Sequence, residues 1–177
     1  MQIRALLLAA LVVLLISPLA FATPVRAETA YTFNLVSLVS SIGPNVAMAP
    51  NGDTITVYGS GVFDTTAATV TASGSFVHKT ASGALVARGS WFATAFDSFV
   101  SFGSGHFFLG VKPPGLQGGV LMITVTLQPT GGTAVTGLPM SITCELGTLP
   151  PGFNGEEGVT VGPFTEIISG ATLMHLA

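Results

Sequence analysis

Apolar and polar residues alternate at every second position through most of the chain after residue 30. This period of two is typical of β-strands that bury one face. The clearest examples are residues 119–128 and 138–146, which are separated by the turn-forming sequence Pro-Thr-Gly-Gly-Thr at 129–133. The pattern predicts a hairpin with Cys144 on its dry face and Glu145 on its wet face.

The same alternation, broken by turn residues, predicts the remaining elements, and no helical periodicity follows the first 27 residues. Residues 43–53 and 149–158 are predicted loops, and residues 97–118 a long loop holding one short strand. Residues 159–176 form one bent strand or two short ones. The other predicted strands are residues 31–39, 54–63, 68–79 and 84–96. We therefore expect an all-β, antiparallel domain of about eight strands.

Three of these strands place a glycine two residues before an aromatic residue. The pairs are Gly61 and Phe63, Gly74 and Phe76, and Gly89 and Trp91. A four-residue hairpin loop at 80–83 would set Gly74 opposite Gly89, Ala72 opposite Trp91 and Phe76 opposite Ala87. Small residues opposite large rings relieve crowding inside a strongly bent sheet. This favours a closed or nearly closed barrel, and a two-sheet β-sandwich is the alternative.

The first 27 residues have the three-part pattern of a secretory signal peptide. Arg4 supplies the positive charge, residues 5–16 are apolar without interruption, and two small-x-small sites follow at 20–22 and 25–27. The apolar run is short for a membrane span, so an uncleaved anchor is the weaker alternative. We expect a signal peptide at 1–27, a single β domain at 28–177 without a membrane span, and a secreted, periplasmic or cell-surface location.

Charged residues make up only 7% of the chain, against about 25% in a typical protein. After residue 27 there are three Lys and Arg and eight Asp and Glu, a net charge of −5. Three scattered bases cannot neutralise a run of phosphates, so nucleic acid is excluded as a partner. The surface must be built from Ser, Thr, Gly and apolar side chains, which makes self-association a candidate. Cys144 is the only cysteine, so no internal disulfide can form.

Several segments resemble a group of small exported bacterial proteins of unassigned function. The resemblance is carried by residues 41–54, 59–63, 72–78 and 87–91, which combine Gly- and Pro-containing turns with the glycine–aromatic pairs. It implies a bacterial origin and one β domain, and it brings no activity or functional residues. A fainter likeness, confined to Gly-rich strands, is to the barrels of the dirigent and allene oxide cyclase type, and fold alone does not fix function.

No motif for catalysis, cofactor binding or metal binding is present, and we expect neither a cofactor nor a metal. Three histidines, His78, His106 and His175, are too far apart in sequence for a local metal motif. We interpret His78 and His175 as interior side chains bonded to backbone groups. His106, Glu166 and His175 are nevertheless the weak candidates for ligand binding, because an inward Glu166 or His175 beside a pocket would be chemically active.

Acidic residues gather at the end of the second predicted loop. Asn154, Glu156 and Glu157 offer the oxygen ligands that calcium prefers. Their spacing matches no calcium-binding loop, and a solvated acidic turn is the simpler interpretation.

Abundant Phe and Gly on strands, with no converging set of polar residues, lead to one hypothesis of function and one alternative. The hypothesis is an exported, non-catalytic, barrel-like domain that binds an apolar small molecule or forms part of a surface assembly. The alternative is a barrel enzyme, similar to a cyclase or isomerase, that acts on an apolar substrate. A filled interior would favour the structural role.

Overall fold

The computed structural model describes residues 30–35, 44–105 and 114–177, and within these ranges every regular element is a β-strand. All strand pairings are antiparallel. The predicted all-β, antiparallel class is therefore confirmed, with ten described strands instead of about eight. They are β1 (Ala30–Leu35), β2 (Asn45–Met48), β3 (Thr54–Asp64), β4 (Thr69–Lys79), β5 (Leu85–Gly103), β6 (Leu116–Pro129), β7 (Val135–Cys144), β8 (Gly158–Val161), β9 (Glu166–Ser169) and β10 (Thr172–Leu176).

A meander of four long strands, β3 to β6, forms the frame of the molecule. The longest is β5, with 19 residues, and its pairing with β6 shifts register at three places. Such irregularities bend a strand and increase its twist. The meander is therefore strongly curved, which brings its two outer strands, β3 and β6, towards each other.

Both outer strands of the meander change partner along their free edge, and each change occurs at a glycine. The first half of β3 pairs with β2 up to Val57, and the second half pairs with β1 from Gly59 onwards. Likewise β6 pairs with β10 at Leu116 and Gln117, and with β7 from Gly119 onwards. We call these two places the forks.

The forks give the sheet two different closures. At one end β1 joins β3 to β10, and β10 joins β6, so that β1, β3, β4, β5, β6 and β10 form a hydrogen-bonded ring. At the other end β7 and β8 extend from β6, while β2 and β9 extend from β3. There β8 lies against β2 and β9 without being paired to either as a strand.

Three local predictions were wrong. Strand β5 continues to Gly103, well into the predicted loop at 97–118, because bulges let it bend without ending. Strand β2 lies inside the predicted loop at 43–53, since four residues between turn-forming sequences are too few to show alternation. The C-terminal region holds three strands, one more than expected. The predicted hairpin around residues 129–133 is confirmed.

The predicted pairing of β4 with β5 was also wrong, by two residues. A bulge between His78 and Lys79 sets Gly74 directly opposite Trp91 and Phe76 directly opposite Gly89. The idea behind the prediction holds, because each glycine still lies beside a large ring. An added Cβ on Gly74 would come within 2.6 Å of the Trp91 indole nitrogen and would collide with the Tyr58 carbonyl oxygen.

Trp91 lies at the centre of the buried side chains and is fully enclosed. Its indole N–H donates a 2.8 Å hydrogen bond to the Tyr58 carbonyl oxygen, next to the fork at Gly59. One continuous hydrophobic cluster surrounds it, drawn from both ends of the sheet. Its largest members besides Trp91 are Phe33, Leu35, Ile55, Val57, Phe63, Phe76, Leu121, Ile123, Val125, Leu127, Met140, Ile142, Val159, Val161, Phe164 and Met174.

We predict that Gly74→Ala destabilises the fold by about 1–3 kcal/mol, the usual cost of overpacking a core. The added methyl would push Trp91 away from Gly74 and break the bond of its N–H to Tyr58. Urea unfolding followed by tryptophan fluorescence measures the effect. The matched control is Ser73→Ala, which changes the neighbouring, exposed position of the same strand. Equal unfolding midpoints for the two variants would contradict the packing described.

Candidate functional site

An aromatic cluster lies at the end of the ring where β1, β3 and β5 meet. Tyr31 stacks on Phe63 at a centroid distance of 5.0 Å and contacts Phe99 at 4.9 Å, and Phe63 also contacts Phe96 at 6.1 Å. Phe63 is buried, whereas Tyr31, Phe96 and Phe99 are half-buried. Half-buried rings on a packed base form a surface on which an apolar molecule can bind.

The outer face of β3, β4 and β5 combines hydroxyl groups with exposed apolar side chains. Ser60 lies opposite Ser73, and Ser75 lies opposite Ser90. Exposed apolar residues stand among these serines: Tyr58, Val62 and Phe92. This surface therefore carries little charge, and its exposed apolar side chains are large enough to contact a partner.

A surface cavity of about 610 Å³ lies on this face, beside the turn between β6 and β7. Arg88 of β5 lines it and is exposed, with no ion pair to any of the described residues. Neutral polar residues from three strands and the turn line the same cavity: Ser75, Ser90, Gln128 and Thr130. We call this cavity the Arg88 groove. No sequence pattern predicts this groove, because its walls come from three separate strands and a turn.

The turns near the Arg88 groove are tied together by Asp53. Its carboxylate accepts a 3.1 Å hydrogen bond from the Ala81 N–H and lies 3.3 Å from the His78 Nε2. Partial desolvation acts against the charged form, but the hydrogen bonds with Asn51, His78 and Ala81 outweigh it and hold the pKa of Asp53 below its usual value. His78 is thus bonded to a carboxylate, not to a backbone group as expected.

At the opposite end of β6, Glu157 connects three strands. One carboxylate oxygen accepts the Thr172 N–H at 2.8 Å, at the start of β10. The other accepts the Glu145 N–H at 3.1 Å, just after β7, and Glu157 itself immediately precedes β8. The interpretation of this region as a solvated acidic turn was therefore wrong for Glu157. Sequence could not reveal its role, because its two partners lie 12 and 15 residues away.

Three carboxylates gather at this end, and one of them titrates abnormally. Burial, and then the nearby charges of Glu157 and Glu156, raise the pKa of Glu145 above its usual value. Throughout the described ranges, no three His, Cys, Asp or Glu side chains are grouped so that they could hold a metal ion. The carboxylates at this end therefore repel one another without a described counter-ion.

Cys144 is fully buried, as the alternation predicted. Its thiol donates to the Thr172 carbonyl oxygen at 3.4 Å. Burial raises the pKa of the thiol, and the charge of Glu157 raises it further. The thiol is therefore part of the buried core and is shielded from solvent in the native state.

Of the three candidate ligand-binding residues, the structure describes Glu166 and His175, which lie on different strands. His106 lies outside the described residues. Glu166 is exposed on β9, opposite Met48 of β2, while His175 is half-buried on β10 and pairs with Thr32 of β1. Neither lines the Arg88 groove. Within the described part of the chain there is also no helix of the length and apolarity needed to cross a membrane.

No protein-family model, curated protein or solved structure matches this chain.

We predict that Glu157→Gln lowers the free energy of unfolding by about 1–3 kcal/mol, because an amide in place of the carboxylate leaves a backbone N–H without its acceptor. It should also lower the pKa of Glu145, since one of the neighbouring charges disappears. Thermal unfolding and an NMR titration of the Glu145 side chain measure the two effects.

Glu156→Gln is the matched control for this substitution. Glu156 is exposed and also contributes to the raised pKa of Glu145, but it accepts no described hydrogen bond. The control should move the pKa of Glu145 in the same direction and leave stability nearly unchanged. A control as destabilising as Glu157→Gln would show that the hydrogen bonds of Glu157 contribute little.

For Cys144 we predict slow labelling by thiol reagents at neutral pH, at a rate that follows global unfolding. The raised pKa keeps the folded thiol protonated, so its contribution to stability is complete below the ordinary value of about 9 and is lost as pH rises through the higher folded value. Mass spectrometry of the labelled protein between pH 7 and alkaline pH tests this. Rapid stoichiometric labelling of the folded protein would overturn it.

Proposed function

We propose that this chain is an exported, non-catalytic, barrel-like β domain that associates with copies of itself as part of a surface assembly. The observation that carries the proposal is a packed interior combined with an outer face that holds apolar side chains and almost no charge. The export part rests on the signal-peptide pattern at 1–27, and the barrel part on the ring of six paired strands.

The packed interior favours a structural role over a hollow, ligand-holding barrel. Trp91, Leu121 and Ile123 have no exposed surface, so no water-sized space adjoins them. Phe33 also fills the space above Gly61, where an added Cβ would come within 2.8 Å of its ring. An interior filled by side chains is what small barrels have when they enclose no ligand.

The outer face favours self-association. Phe92 and Val62 are 44% and 49% exposed on strands whose outer face also carries serine and threonine. Such exposed apolar groups, with few charges between them, lower the cost of removing the face from water. The main desolvation penalty of a charged interface is therefore absent from most of this surface.

Binding of an apolar small molecule is the second candidate, and the aromatic cluster favours it. Tyr31, Phe96 and Phe99 are half-buried, so a ligand could cover their remaining exposed surface without entering the core. The enzymatic alternative has less support, because it needs Glu166 or His175 beside a pocket. Glu166 is exposed, and the Arg88 groove contains neither residue.

The test of self-association uses the mature protein recovered from an exporting host, with its N-terminus sequenced to identify cleavage before Thr23 or Glu28. We predict a sedimentation coefficient that rises with protein concentration. Phe92→Ser should weaken the association by about tenfold, since it removes a large exposed ring from the contact face.

The matched control is Ile168→Ser, which removes an equally exposed apolar side chain from β9. It should leave the association unchanged. A wild-type protein that stays monomeric up to millimolar concentration would refute the proposed function. A retained Met1 would refute the export part alone.

A further inference from the structure

The described Lys and Arg residues lie near one end of β6, and three of the glutamates lie near its other end. Of the described residues only Lys79 and Arg88 are Lys or Arg, and both lie near the turn end of the β4–β5 hairpin, where Arg88 lines its groove with Gln128 of β6. Glu145, Glu156 and Glu157 lie near the other end of β6, where Gly119 pairs with Cys144. Nine residues of extended chain between Gly119 and Gln128 span about 30 Å.

The Arg88 groove has an unused cationic group and neutral walls. Arg88 makes no ion pair within the described ranges, and its backbone carbonyl is held by the Thr130 N–H at 2.8 Å. Ser75 and Ser90 add hydroxyl donors on the same side. A guanidinium in a groove that is also lined by serine residues is suited to a carboxylate, which it can bind through two parallel hydrogen bonds.

No described acid pairs with the Arg88 guanidinium. The carboxylate of Asp53, at the same end of the molecule as the β4–β5 turn, is engaged by His78 and by the Ala81 N–H. Among the described residues, the Arg88 guanidinium therefore has no carboxylate partner.

The acidic end supplies a group of this kind. Glu156 is exposed and belongs to the loop between β7 and β8, which also exposes Leu149. Its neighbour Glu157 is engaged by two backbone N–H groups, and Glu145 lies close enough to both for their charges to affect it. A cation that approached Glu156 would relieve this repulsion.

We propose that the Arg88 groove of one copy binds the acidic loop of the next copy, with the Glu156 carboxylate on the Arg88 guanidinium. This inference rests on the proposed self-association and identifies its contact. The occupant is a second copy of this chain because the basic groove and the acidic loop are complementary in charge and lie near opposite ends of β6.

The geometry of this contact is heterologous, since a copy uses one surface as donor and a different surface as acceptor. Repetition of such a contact gives a ring if the rotation closes and an open chain of copies if it does not. Exposed Phe92 follows Ser90 on the outer face of β5, so the apolar contact surface continues directly from the groove. The charged pair then fixes orientation, and the apolar face contributes the rest of the contact.

The test compares two charge reversals, R88E and E156R, separately and mixed, by sedimentation velocity at low salt. Each variant alone brings like charges together at the contact, so self-association should weaken by more than about tenfold. In an equimolar mixture, the native Glu156 of R88E meets the native Arg88 of E156R, and the reversed residues meet each other. The mixture should recover the wild-type association.

The matched control is E166R, which makes the same change in net charge as E156R, at an exposed position on β9. It should associate like the wild type, and circular dichroism should show that all variants remain folded. If the wild type associates and R88E and E156R associate equally well, this contact is wrong while the proposed function stands. If the mixture fails to recover although both variants are folded and monomeric, the pairing of these two residues is wrong. A monomeric wild type refutes both proposals.

Discussion

The packing of Trp91 against glycines is the constraint on which the rest of the structure depends. The indole lies against Gly59 and Gly74, where an added Cβ would come within 2.6 Å of it, and its N–H bonds to the carbonyl of Tyr58. Without side chains at these two positions the β3–β4 ladder can curve around the ring system. The whole meander is curved for the same reason. Strand β4 pairs with β5, and β5 contributes the Trp91 ring around which the β3–β4 ladder bends.

That curvature makes the forks necessary. Once β3 and β6 bend towards each other, neither can keep one partner along its whole free edge, so each changes partner at a glycine. At Gly118 the backbone of Leu146 lies so close that no side chain would fit, and at Gly59 the carbonyl of Ser73 has the same effect. The forks divide the molecule into a ring end and an end built by β2, β7, β8 and β9.

The sequence predicts this fold well where a strand buries one complete face. Residues 119–128 and 138–144 show the clearest alternation in the chain, and their hairpin, its dry face and the burial of Cys144 were all predicted correctly. The register of β4 on β5 was not, because the bulge after His78 leaves no mark in the alternation. Strand β2 escaped prediction for a related reason. Its four residues are too few to show alternation, and its pairing with β9, far along the chain, is invisible to a local pattern.

The surroundings of Glu157 and Arg88 were harder to predict, because they too depend on contacts between residues far apart in sequence. Glu157 and Arg88 have no motif around them, and each acquires its role from residues that the topology brings near: backbone N–H groups for the carboxylate, hydroxyls and a turn for the guanidinium. The sequence did show how rare charge is. In a chain with so few charges, an exposed Arg88 without a described partner is more informative than it would be elsewhere, since no solvating network of charges accounts for it. Because charge is so scarce, the few charged residues at the two ends of β6 make one end basic and the other acidic.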